Sequence, residues 1–126
     1  MFSEVLATPA VAEEFGETPD WLKVQNVVNR TLSEALQTQL GAGESEVIAL
    51  STELTDVVAV LDDKKARRVA HEMSLKVMGT VGLLLRAKQH DLLQELKPVL
   101  DSLEGVGFRL SRELLREALR LAKEDD

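Results

Sequence analysis

The chain has 126 residues, 44% hydrophobic and 29% charged, with a net charge of −7, which suits a single domain with one continuous core. It has no cysteine, so disulfides, thiolate metal sites and cysteine nucleophiles are excluded, in keeping with a reducing cytoplasm. No apolar run approaches the roughly 20 residues of a membrane span, and the acidic balance argues against bulk affinity for nucleic acid.

Glu4-Val5-Leu6 reads as a short strand leading to Thr8-Pro9. Thr8 can cap a helix with Pro9 at its first position, where the missing N–H costs nothing. That helix is expected to carry Val11 and Phe15 inward. Gly16 to Pro19 reads as a loop, and Trp21 to Val28 as a partly alternating strand. Thr31-Leu-Ser-Glu34 matches a capping box and predicts a helix through about Gln39, which Leu40-Gly-Ala-Gly43 breaks. From Glu44, the positions Val47, Leu50 and Leu54 follow helical spacing.

Val57-Val-Ala-Val-Leu61 is an unbroken aliphatic run that stops on Asp62 and Asp63. A parallel strand buried on both faces has this form. Helical spacing resumes at Ala66, Val69, Ala70 and Met73, and Leu75 to Met78 can form one more strand. Gly79-Thr80 leads into a helix bearing Val81, Leu84 and Leu85. Pro98 suits the first turn of the next helix, which ends near Gly105 to Gly107. Ser111 caps a terminal helix with Leu114, Leu115, Ala118, Leu121 and Ala122 on its inner face. Strands alternating with helices predict an α/β fold with a parallel sheet and a helix-rich last third.

In open α/β sheets, ligands bind beyond the carboxyl ends of the strands, where Asp62 and Asp63 stand. A second acidic cluster, Glu44-Ser-Glu46, opens the preceding helix. Two carboxylates about 4 Å apart repel by about 4 kcal/mol at an effective dielectric near 20. They stay ionised together when a cation lies among them, and oxygen donors favour Mg²⁺ or Mn²⁺. Such a metal lowers the pKa of bound water and clamps a phosphodiester for attack. The competing reading is structural: Asp at a strand-to-helix junction caps the helix, and Glu in a first turn complements its dipole.

Other motifs carry less. His71 and His90 have no partner at metal-ligand spacing, and Gly79-Thr-Val-Gly82 lacks the lysine ending of a phosphate loop. A phosphate-accepting receiver domain would need a later strand-end Asp and Lys, and neither is evident. Arg112, Arg116 and Arg120 line one helix face with Glu113 and Glu117 in pairing reach, which reads as a solvated salt-bridged face, with a role in holding RNA as the alternative.

The segments Thr8-Pro-Ala-Val-Ala-Glu-Glu-Phe15, Leu40-Gly-Ala-Gly-Glu-Ser-Glu-Val-Ile-Ala-Leu50 and Val60-Leu-Asp-Asp-Lys-Lys-Ala-Arg-Arg-Val-Ala70 occur in an order that resembles the PIN-domain family, in particular its less characterised VapC-like branch. Val77 to Lys88, and Pro98 onward to Gly107-Phe-Arg-Leu-Ser111, extend the resemblance to about residue 124. It implies a three-layer α/β/α sandwich, 1–126 as one domain, and a Mg²⁺- or Mn²⁺-dependent endoribonuclease whose relatives include toxins paired with an antitoxin protein.

Carried over by motif, Glu14, Glu46 and Asp63 are the catalytic acids, and Glu46, Asp62 and Asp63 hold metal. Asp62 serves as cap or second ligand, and Lys65 and Arg67 contact RNA phosphate. Family members usually begin with an aspartate-bearing strand and a helix that this sequence does not show ahead of Phe2. The resemblance therefore implies an N-terminally truncated fold with impaired activity. The alternative expectation is a catalytically silent interaction module, a homodimer that closes the open sheet by exchange or edge pairing.

Overall fold

The computed structural model describes residues 4–125. Among them are four short strands and seven helices, in two compact units that divide between Met78 and Gly79.

In the first unit, β1 (Val5–Ala7) pairs in parallel with β2 (Leu22–Val24), Val5 opposite Leu22. Between them runs α1 (Pro9–Phe15), with Thr8 as N-cap accepting from the Val11 N–H and Gly16 ending it at φ 87°. That left-handed turn suits glycine, which has no Cβ to clash. Phe15, expected inward, is 55% exposed, because the helix stops at that residue before any neighbour covers it.

The strand predicted to run through Val28 ends at Val24. Beyond it, the Val28 and Asn29 N–H groups donate to the Glu53 carboxylate at 2.8–3.1 Å instead of joining a ladder. Asn29 then caps α2 (Arg30–Leu36), its Oδ1 accepting from Leu32 N at 3.1 Å. The Thr31 capping box is therefore not formed. In a capping box, a glutamate three residues into the helix takes the cap residue's own N–H, and here Glu53 does so from another helix.

α3 (Ala42–Glu53) is the central element, with Gly43, Ser45, Glu46, Ile48, Ala49, Leu50 and Ser51 all buried. Ile48 joins Leu36, Leu40, Ala59, Leu61, Ala66 and Ala70 in the main core, and Ala49 and Leu50 pack with Val27 in a smaller one. The aliphatic run at residues 57–61 supplies only two strand residues, β3 (Ala59–Val60), paired in parallel with β4 (Val77–Met78). Asp63 follows as N-cap of α4 (Lys64–Glu72), its Oδ2 accepting from Ala66 N at 2.9 Å. Parallel pairing is as expected. A single sheet is not, because β1–β2 and β3–β4 form separate two-stranded sheets.

The second unit is helical: α5 (Thr80–Gln89), α6 (Lys97–Gly105) and α7 (Arg112–Leu121). Its core is Val81, Leu96, Leu100, Ala118 and Ala122. Leu114 and Leu121, placed on the inner face of α7 by spacing, are 46% and 43% exposed. The contact is centred on the small residues Ala118 and Ala122, so leucines at the edges of the apolar arc stay outside it. Glu124 closes this unit. Its carboxylate accepts from Lys88 Nζ, from Leu96 N at 2.7 Å and from Lys97 N at 3.0 Å, so it caps α6, which has no side-chain cap of its own. No helix among the described residues is long and apolar enough to cross a membrane.

Candidate functional site

Three segments far apart in sequence meet around one open cleft of about 270 Å³ in the first unit. Val11 and Glu14 come from α1, Gly43, Glu44 and Val47 from α3, and Val60 to Asp63 from the end of β3. Aliphatic side chains line it together with four carboxylates, Glu14, Glu44, Asp62 and Asp63. The local reasons are ordinary. Thr8 and Pro9 start α1 so that Glu14 falls in its last turn, and Gly41 starts α3 so that Glu44 falls in its first. Asp62 and Asp63 follow where β3 gives way to α4.

The carboxylates are not all turned to one point. Glu14 lies against Gly43, its Oε1 3.0 Å from where a Cβ on that glycine would be. Glu44 folds back over Gly41, its Oε2 2.5 Å from the corresponding position. Asp63 directs Oδ2 at the Ala66 N–H. Among the described residues, no three acidic or histidine side chains are grouped to hold one metal ion.

Glu46 does not line the cleft. It is buried, its Oε1 accepts from Ala10 N at 2.9 Å in the first turn of α1, and its Oε2 faces Arg30 Nη1 at 3.7 Å. The cap on α4 is Asp63; Asp62, expected as cap or second ligand, lines the cleft beside it. Lys65 and Arg67 are exposed on the first turns of α4, outside the cleft lining.

The model of one protein family, described as a PIN domain, matches residues 1–124. The chain belongs to the PIN-domain family. No curated protein and no solved structure gives a match. The family match spans both units of the PIN domain, and its mixed α/β fold with parallel strands and seven helices is the architecture seen among the described residues.

PIN domains are typically nucleases and generally use divalent metals. The donor set of this cleft fits such an ion in kind, because carboxylate oxygens are the ligands that Mg²⁺ and Mn²⁺ prefer. It fits in number only as one or two direct carboxylates, with water completing the shell, as Mg²⁺ commonly accepts. Glu44, the neighbour of Glu46 in the second acidic cluster, is the cleft acid that the motif did not single out. Helical phase does not separate the two acids: Glu46 has Ala49 and Leu50 three and four residues on, and Glu44 has Val47 and the fully buried Ile48.

Proposed function

We propose that this PIN domain is a relative of the Mg²⁺- or Mn²⁺-dependent, toxin-like ribonucleases, with a weak cation site and low endonuclease activity. The observation that carries this reading is the meeting of Glu14, Glu44, Asp62 and Asp63, from three separate segments, in one cleft at the carboxyl end of a parallel strand. When bound, a divalent cation supplies a water of lowered pKa and a positive centre for a phosphodiester oxygen. Asp63 has one oxygen engaged by Ala66 N, leaving Oδ1 for the ion, and Glu14 or Glu44 contributes a second carboxylate. Lys65 and Arg67 then hold RNA phosphate close to a cleft that would otherwise repel it. Without three grouped acids, the affinity for metal is low.

Calorimetry with Mn²⁺ tests the reading, together with cleavage of single-stranded RNA in the same metal and in chelator. Weak binding, lost in Asp63→Ala, with chelator-sensitive cleavage supports it. No heat at about 10 mM Mn²⁺ would reject it, because exposed carboxylate sites saturate in that range or below.

A second reading, a catalytically silent homodimer, is favoured by the two separate sheets and by the 50% and 41% exposure of the strand residues Val5 and Val60. Unpaired edges of this kind invite pairing with another chain. It calls for a dimer in sedimentation and no RNA cleavage with Mn²⁺, and a monomer that cuts RNA rules it out.

A further inference from the structure

We infer that Glu46 and Gly43 are positioning residues that hold Glu14 at the cleft, Glu46 acting through α1 and not as a metal ligand. This rests on the reading of the cleft as a cation site. Gly43 and Glu46 lie three residues apart, on one face of α3, and both are buried. Each meets α1. Glu46 accepts the Ala10 N–H at 2.9 Å, and the Glu14 carboxylate occupies the space beside Gly43, its Oε1 3.0 Å from where a Cβ would stand.

α1 needs such a tie. It has seven residues and buries none of them fully, so little apolar packing fixes it. The bond from Ala10 to a buried carboxylate is charge-assisted, which makes it stronger and more directional than a neutral one. It also meets a first-turn N–H that the helix itself leaves without a partner. Glu14 lies one turn beyond Ala10 on the same helix, so the direction of α1 set at Glu46 decides where Glu14 ends. Gly43 sets how near it can come: a Cβ there would stand 3.0 Å from Glu14 Oε1 and move that carboxylate by a few tenths of an ångström. The face of α3 turned to α1 is therefore a seat for Glu14, with Gly43 at the edge of the cleft that Glu44 and Val47 of the same helix also line.

The experiment compares Mn²⁺ affinity by calorimetry in the full chain, five single variants, Glu46→Gln, Glu46→Ala, Gly43→Ala, Glu14→Gln and Asp63→Ala, and one double variant. Glutamine keeps an acceptor for Ala10 N, so Glu46→Gln is expected to stay within about threefold of the parent. Glu46→Ala is expected to bind about tenfold more weakly, the usual loss when a residue that orients a ligand is removed. Glu14→Gln should match it, and the double variant Glu46→Ala with Glu14→Gln should be no weaker than either alone.

Gly43→Ala is expected to lose about threefold in affinity with no fall in melting temperature, since alanine is the better helix former. In metal-free protein, amide hydrogen exchange at Ala10 should speed up in Glu46→Ala and not in Asp63→Ala. Equal damage from Glu46→Gln and Glu46→Ala would make Glu46 a direct ligand and overturn the positioning role. Unchanged affinity in Glu46→Ala or Gly43→Ala, beside a loss in Asp63→Ala, overturns it and leaves the cation site standing. Absence of Mn²⁺ binding by the unsubstituted chain removes both.

Discussion

Asp63 performs one task visibly and is proposed to perform another, and two substitutions separate them. Its Oδ2 accepts the Ala66 N–H at 2.9 Å, an N-cap contact whose removal costs about 1 kcal/mol. Asparagine caps nearly as well as aspartate, so Asp63→Asn should change unfolding free energy by less than about 0.5 kcal/mol at moderate salt, where the dipole contribution is screened. Asp63→Ala should lose about 1 kcal/mol.

The metal should respond differently. Two unit charges about 4 Å apart in water attract by about 1 kcal/mol, and a divalent ion doubles this to about 2 kcal/mol, roughly thirtyfold in affinity. Asp63 is exposed, so salt screening reduces the loss towards about tenfold. Asp63→Asn and Asp63→Ala should therefore lose Mn²⁺ binding alike while differing in stability, measured by calorimetry and by urea unfolding. If Asp63→Asn bound Mn²⁺ as tightly as the parent, Asp63 would be a cap alone and the cleft would lose its proposed ligand.

Acidification should loosen the second unit. Burial pushes the Glu124 carboxyl up, but hydrogen bonds from Lys88 and from the Leu96 and Lys97 N–H groups, with the Lys88 charge, hold it below its ordinary value of 4.5. A carboxyl depressed in the folded state stabilises fully above that ordinary value and loses its contribution as pH falls through the lower folded value. Exchange at the Leu96 and Lys97 amides should therefore show weakened protection below about pH 4.5, and Glu124→Gln should remove most of that dependence. Asn29→Ala should cost about 1 kcal/mol and Thr31→Ala under about 0.5 kcal/mol in urea unfolding; the reverse order would restore the capping box. Ile48→Ala, at a fully buried position in the main core, should cost about 2–5 kcal/mol, and a loss under about 1 kcal/mol would mean that α3 is not the centre of that core.

Local signals along the chain were enough for the element types and their order. Thr8-Pro9 starts α1, Ser111 caps α7, helical spacing marks α3, α4, α5 and α7, and Pro98 marks the first turn of α6, because caps and periodicity act within one turn. The acids at the end of the aliphatic run were legible for the same reason. Tertiary structure decided which acids bind backbone and which line the cleft. Glu46, Glu53 and Glu124 each take backbone N–H groups of a helix start more than twenty residues away, and no sequence window contains both partners. Distance along the chain also hid the split into two short sheets, since strand pairing is a long-range contact. What the sequence specifies by itself is the type and order of helices and strands; which carboxylate meets which N–H is fixed only when α3 packs against α1, and when the residues after α7 reach the start of α6.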